Sequence, residues 1–207
     1  MGSDSHNSAP RELRAQGRKT MRKLENAGMQ VFAERGYHQA RVDDIVRVAR
    51  TSHGTFYLYF SNKEDLLRAL AVECAQELDD LAHAVGTIDG TEAGYVELRS
   101  FLDRFVSTYR RYGVVIRAWM EGQVSEPDVD RLGVKAFTHI ANALSSQIAA
   151  SDGPQADDPA ASVAALMALL ERFSYAVASR NVDLDDGAGL DSLARLVHRG
   201  FFGAAAA

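Results

Sequence analysis

An all-α fold, an N-terminal three-helix helix-turn-helix domain followed by a C-terminal helical bundle, is predicted by three observations. From Met21 onward apolar residues recur at i, i+3, i+4 and i+7, the spacing that lays one face of a helix on a core. No proline interrupts the chain from Arg11 to Glu126, so long helices are permitted. Between Val42 and Leu67 the stretch VDDIVRVARTSHGTFYLYFSNKEDLL sets two short helical segments and the start of a third around two breaks.

Residues 1–17 carry Ser, Gly and Arg with no apolar period and are expected to form a flexible basic arm. Its Arg11 and Arg14, with Arg18 and Lys19 just beyond, suit a DNA backbone or minor groove, and disorder without a role is the other reading. Met21, Leu24, Gly28, Val31 and Phe32 form the inward stripe of the first helix, which ends near Gly36. Val42, Ile45, Val46 and Ala49 define a second helix of about two turns. Arg50-Thr51-Ser52 breaks the period, and the Ser52 hydroxyl is suited to cap the free amides of the next helix. That third helix turns Phe56, Tyr59 and Phe60 inward; His53, Thr55, Tyr57 and Leu58 cannot all follow, so part of it faces outward. Ser61-Asn62-Lys63-Glu64 has the S-x-x-E form of a capping box, and Leu66, Leu67, Leu70, Cys74, Leu78 and Leu81 continue the fourth helix. The layout fits a DNA-reading helix-turn-helix, with an arm at 1–17, the DNA-binding domain at 18–62 and a helical domain at 63–207.

In the helical domain, Val85 to Thr91 is a break, and Tyr95, Leu98, Phe101, Leu102, Phe105, Val106 and Tyr109 mark a helix that Gly113 divides from Val114–Val124. Pro127 opens another, with Val129, Leu132, Ala136, Phe137, Ile140, Leu144 and Ile148 inside. SDGPQADDP, residues 151–159, is a loop by composition. A strongly apolar helix follows over Ala160–Ala178, then an acidic loop over Asn181–Gly189, then a last helix carrying Leu190, Leu193, Leu196, Val197, Phe201 and Phe202. A helix as apolar as Ala160–Ala178 needs cover on more than one side, which a second copy of the chain would supply.

The residues Val31-Phe32-Ala33-Glu34-Arg35-Gly36-Tyr37, Val42-Asp43-Asp44-Ile45, Gly54-Thr55-Phe56-Tyr57-Leu58-Tyr59-Phe60 and Lys63-Glu64-Asp65-Leu66-Leu67 resemble the DNA-binding domain of TetR-family transcriptional regulators. The resemblance covers about residues 15–70. Two positions depart from the usual pattern. Arg41 stands where a threonine often caps the second helix, and Arg50 stands where a turn glycine is common. The second helix is therefore expected without a hydroxyl cap, and Arg50 is expected to carry a positive φ at some energetic cost.

The resemblance implies a ligand-responsive regulator, usually a repressor, that binds a palindromic double-stranded operator as a homodimer and leaves it when a small apolar or amphipathic effector binds. Ser52, His53 and Thr55, short polar groups at a helix start, suit base edges and phosphates. The resemblance adds Tyr57, Tyr59 and Lys63 as phosphate contacts, with Thr51 and Arg41 flanking. It places effector binding among the aromatic and flexible side chains of the bundle, Phe101, Phe105, Tyr109, Trp119, Met120, Phe137, Met167 and Phe173, although an aromatic stripe at helical spacing is by default core. It places the dimer interface on the last two helices, at Leu166, Leu170, Val177, Leu193, Leu196 and Val197.

Charge distribution agrees. The net charge is −5, yet residues 1–70 hold 12 Lys/Arg against 8 Asp/Glu, and the remainder 11 against 20. The basic surplus sits with the motif and suits phosphates, while the acidic remainder restricts contact to one face. Catalysis is not expected: G-x-S-x-G, H-E-x-x-H, a phosphate-binding glycine loop and paired metal-ligand spacings are all missing, and no cofactor or metal is implied. His53 has no carboxylate at helical spacing. Cys74, the single cysteine, lies on an apolar stripe as a buried thiol. No apolar run of roughly 18 residues and no signal peptide are read, so a cytoplasmic protein is expected. The competing class is a helical small-molecule carrier or interaction protein with weakened DNA binding.

Overall fold

The computed structural model describes residues 8–120, 127–153, 158–179 and 186–203, and every regular element among them is helical. The backbone forms two compact units, Met1–Leu70 and Ala71–Ala207.

The first unit opens with α1 (Ser8–Arg35). Residues 8–17, expected as a flexible arm, are therefore helical. Pro10 lies in the first turn, where no intrahelical N–H is required, and Glu12 to Gln16 are good helix formers. A missing apolar period forbids burial, and it does not forbid a helix. The rest of the expected arm, 1–7, and the side chains of Arg11 and Arg14 lie outside the described residues. Leu24, Ala27, Val31 and Phe32 form the buried stripe of α1. Gly28 lies so close to Leu66 that an added Cβ would stand 2.6 Å from it. Gly36, at φ 77°, ends α1 while its N–H donates to the Phe32 carbonyl at 3.0 Å.

The helix α2 (Val42–Val48) buries Ile45 and Val46, and α3 (His53–Tyr57) buries Phe56, whose full burial stabilises by about 1.5–3 kcal/mol. The next helix, α4 (Lys63–His83), starts one residue later than the S-x-x-E pattern implies. Asn62 Oδ1 accepts from the Asp65 N–H at 2.7 Å, and the Asp65 carboxylate accepts from the Ser61 N–H at 3.0 Å. The cap is thus Asn62 with Asp65 in place of Ser61 with Glu64; asparagine caps at least as well as serine, and Asp65 sits at N3 when Asn62 is the cap.

In the second unit, α5 (Glu92–Met120) buries Leu98, Phe101, Leu102, Phe105, Val106 and Tyr109. The division expected at Gly113 is a kink at Tyr112 (φ −110°, ψ 15°) inside one continuous helix. Tyr112 is fully buried, and its hydroxyl donates to Glu77 at 3.0 Å and Glu73 at 3.2 Å on α4. α6 (Pro127–Ala150) starts at the predicted proline and buries Ala136, Ile140 and Leu144. α7 (Pro159–Ala178) is opened by Asp158, whose Oδ1 accepts from Ala160 N at 3.0 Å and Ala161 N at 3.1 Å. Cys74 is buried as expected, and burial, with Glu77 nearby, pushes its thiol well above the ordinary range.

By length and composition α7 is apolar enough to cross a membrane, although Glu171 and Arg172 interrupt it and no unbroken apolar run reaches that length, as expected. Alanines make up much of it, which is why no single bulky run stands out in the sequence. It packs in the bundle through Val163, Leu166 and Leu170, and Tyr109 donates to Glu171 on it at 3.0 Å. α8 (Asp186–Val197) begins inside the stretch expected as an acidic loop, of which 181–185 lie outside the described residues. It continues into a π-helical turn, His198–Phe202, that buries Phe202 and closes with Gly203 N–H donating to the His198 carbonyl at 2.7 Å.

Candidate nucleic-acid interface

The turn between α2 and α3 is closed by two hydrogen bonds, Arg50 N–H to the Arg47 carbonyl at 3.1 Å and Thr51 N–H to the Val46 carbonyl at 3.0 Å. These are the paired bonds of a Schellman motif, and they require the residue after the cap, Arg50, to be left-handed. Arg50 has φ 49°, the positive φ expected of it, among the described residues shared by no other non-glycine. Arg41 caps α2 with extended backbone and no side-chain bond, also as expected. Ser52 caps α3: its Oγ accepts from Thr55 N–H at 3.1 Å and lies 2.9 Å from the Thr55 hydroxyl. Thr51 and Thr55 are half-buried.

The outward surface of α3 and its flanks presents Ser52, His53 and Tyr57, the last 57% exposed. Leu58, which caps α3 at its C-terminus, is 81% exposed. An apolar side chain so open beside polar groups is one the sequence pattern did not single out as a candidate. Its only signal was a helix too short to turn His53, Thr55, Tyr57 and Leu58 all inward. Tyr59 is half-buried, with its hydroxyl 3.5 Å from where a Cβ would stand on Gly17 of α1. Phe56 and Phe60 are buried core aromatics with ring centroids 5.7 Å apart.

His53 does have a carboxylate partner, supplied by tertiary contact where helical spacing offers none. Its Nε2 lies 2.5 Å from Asp43 Oδ1 on α2, and both side chains are exposed. Next to it Asp44 is buried, with Arg47 at 2.6 Å and Arg35 at 3.4 Å. Burial alone would raise its carboxyl; the hydrogen bond from Arg47 and the charges of Arg35 and Arg47 outweigh that and hold it below the ordinary value.

Lys63, expected on a phosphate, turns the other way. Its ammonium donates to the carbonyls of Tyr37 at 3.1 Å, His38 at 3.1 Å and Ala40 at 3.2 Å, and lies 4.8 Å from the Tyr37 ring centroid. An ammonium has three N–H donors, and all three are engaged within the α1–α2 turn. Arg41 is exposed beside it. Along α1, Arg18, Lys19, Arg22 and Lys23 are exposed and line, with Ala15 and Asn26, a recess of about 460 Å³ with no carboxylate among its described lining residues.

In the second unit, the residues expected to hold an effector divide. Phe101 and Phe105 are buried with their rings stacked at 6.2 Å, and Tyr109 is buried with its hydroxyl on Glu171, so these three are core. Burial first, then the bond to Glu171, raises the Tyr109 hydroxyl well above the usual phenol range. Trp119, Phe137, Met167 and Phe173 are half-buried. The Trp119 ring is seated on Gly133 of α6, where an added Cβ would stand 2.6 Å from it. Phe173 lines a crevice of about 130 Å³ with Val106, Val177 and Leu190, rimmed by Arg99 and Asp103. Met120 closes α5, and its side chain lies outside the described residues.

Four of the six residues expected at a dimer interface, Leu166, Leu170, Leu193 and Val197, are buried within the chain itself. α7 packs against α5 and α6 and α8 packs against α5, so these four side chains are already covered. Val177 is half-buried, and Leu196 is 62% exposed. The open face of α7 is instead its alanine side, Ala161, Ala164, Ala165 and Ala168.

Residues 25–70 match the family model of bacterial regulatory proteins, tetR family. The uncharacterized HTH-type transcriptional regulator YvdT of Bacillus subtilis is 34% identical over 96 residues, 45% of this chain and 48% of that protein. The fatty acid metabolism regulator protein of Bacillus subtilis is 50% identical over 48 residues, 23% of this chain and 25% of that protein. The chain thus spans about half the length, or less, of these curated relatives. Among solved structures, a regulatory protein in the tetR family from Rhodococcus RHA1 superposes with a TM-score of 0.70 at 19% identity, over 90% of this chain and 99% of that one. The regulator FadR from Bacillus subtilis, in complex with stearoyl-CoA, gives 0.61 at 20% identity, over 86% and 97%. The two folds are the same in order and kind: a helix-turn-helix first, a helical bundle after it. Residues 25–70, which carry the Schellman turn and the Ser52-capped helix, thus form a domain of the kind that the model of bacterial regulatory proteins, tetR family, describes, and the chain as a whole shares the helical fold of these solved structures.

Proposed function

We propose that the protein is a DNA-binding transcriptional regulator, a repressor that occupies a palindromic operator as a homodimer and releases it when an amphipathic effector binds the second unit. The observation that carries this reading is the exposed surface of α3, a capped helix held on a closed turn that presents Ser52, His53, Tyr57 and Leu58 outward. Polar groups at a helix start reach base edges and phosphates, and an exposed leucine fits a thymine methyl. Thr51, Thr55 and Tyr59 flank that surface, with Arg41 and the basic face of α1 positioned for phosphates by their charge. Lys63 is assigned to holding the α1–α2 turn.

For the effector, half-buried Trp119, Phe137, Met167 and Phe173 are the candidates, since Phe101, Phe105 and Tyr109 are occupied by the core. The stearoyl-CoA bound by FadR makes a long-chain acyl-CoA the first compound to try. For the dimer, the alanine face of α7 with Leu196 is the proposed contact, because small side chains let two helices approach closely and this face has no cover among the described residues.

The test is selection of duplexes from a random pool by the purified protein, followed by titration of the winner against salt. A palindromic winner whose log K falls with log salt by about 0.9 per phosphate contacted is expected. A chain that enriches no sequence and binds without salt dependence is a carrier.

A further inference from the structure

The geometry assigns Asp43 as a positioning residue that sets which bases His53 accepts, and we infer that His53 reads an exocyclic amino group, on adenine or cytosine. The inference rests on the regulator reading, in which α3 enters the major groove. His53 is the first residue of α3, and Asp43 lies in the first turn of α2, ten positions earlier. The imidazole Nε2 stands 2.5 Å from Asp43 Oδ1, and no other partner of either ring nitrogen occurs among the described contacts.

An ionised carboxylate only accepts, so the proton of a neutral ring resides on Nε2 and is given to Asp43. Nδ1 is then bare, an acceptor, and is the ring atom left for a base edge. In the major groove adenine N6 and cytosine N4 offer donors, while guanine N7 and O6 and thymine O4 offer only acceptors. A histidine without a fixed tautomer presents either character and discriminates little. With Asp43 behind it, the ring presents one. Both side chains are more than half exposed, 55% for His53 and 68% for Asp43, so the pair spans the surface of the two helices and supports no core.

The experiment uses the full-length protein and its selected duplex at pH 8.5. Each adenine of a half-site is replaced in turn by purine deoxyriboside, and each cytosine by 2-pyrimidinone deoxyriboside, which lack the amino group and keep the rest of the edge. Wild type is expected to lose about tenfold in affinity at one position, the worth of one hydrogen bond. His53→Ala and Asp43→Ala are expected to bring that factor close to one. Asp43→Asn, whose Oδ1 still accepts from Nε2–H, is expected to keep it. Thermal unfolding of each variant separates lost folding from lost discrimination. Equal wild-type binding to every substituted duplex, or unchanged discrimination in Asp43→Ala, overturns the inference. Failure of the wild type to bind any selected duplex means that the regulator reading itself has failed, and this inference with it.

Discussion

Arg50 and Asp44 show how much the α2–α3 region depends on single side chains. At φ 49° Arg50 bears the Cβ clash that a glycine avoids, held there by the two bonds that close the turn. Arg50→Gly is expected to raise stability by about 1 kcal/mol, read as a higher urea midpoint at unchanged m. Asp44 is the converse case, a buried carboxylate stabilised by Arg47 and Arg35. Its carboxyl is lowered in the folded protein, so it binds a proton less readily there than in the unfolded chain. The stability it contributes is present above the unfolded carboxylate range and is lost as pH falls through its folded value. Urea midpoints measured from pH 7 down to pH 3 are expected to fall for the wild type. For Asp44→Asn they start lower and fall less on the acid side.

The α1–α2 turn is an element whose purpose changes once its contacts are known. Helical period and capping rules place its ends at Gly36 and Val42, and α1 and α2 end and start there. The rules say nothing of Lys63, 23 to 26 residues away in sequence, whose three N–H donors fall on the turn's carbonyls. Lys63→Met keeps the stem and removes the donors. It is expected to cost about 1.5–3 kcal/mol, the range for hydrogen bonds from a charged group, seen as a lower melting temperature. The salt slope of DNA binding is expected to stay as in the wild type; a slope smaller by about one would show Lys63 on a phosphate after all. The cap of α4 shifted for a related reason, since Ser61-Glu64 and Asn62-Asp65 both satisfy the capping pattern and only the backbone path decides which pair closes.

For the molecule as an assembly, the decisive fact is which face of α7 the chain covers itself. Val163, Leu166, Leu170 and Ser174 turn inward, and the alanine face with Leu196 of α8 is open. Leu196→Glu and Ala165→Glu are each expected to shift the sedimenting species from dimer to monomer and to weaken operator binding more than tenfold, because two linked half-sites bind far more tightly than one. Leu170→Glu, on the inward face, is expected to unfold the second unit instead, as an unpaired buried charge does. Sedimentation together with circular dichroism separates these outcomes. A dimer that survives both outward substitutions would move the interface elsewhere.

Local pattern was enough for the all-α class, for the order of the helices and for the capped α3, and the family resemblance added the missing cap at Arg41 and the strained Arg50. Each of these depends on residues within one or two turns of one another, where spacing and backbone chemistry leave few alternatives. The other outcomes depend on groups that folding alone brings together: the Asp43–His53 pair, the inward Lys63, the burial of Phe101, Phe105 and Tyr109, and the inward Leu166 and Leu170. An apolar stripe shows that a face must be covered and does not say by what, and a charged side chain shows no partner until a distant carbonyl or carboxylate stands beside it. Those two indeterminacies are physical, because burial and ion pairing are properties of surroundings, and only the packed helices supply the surroundings.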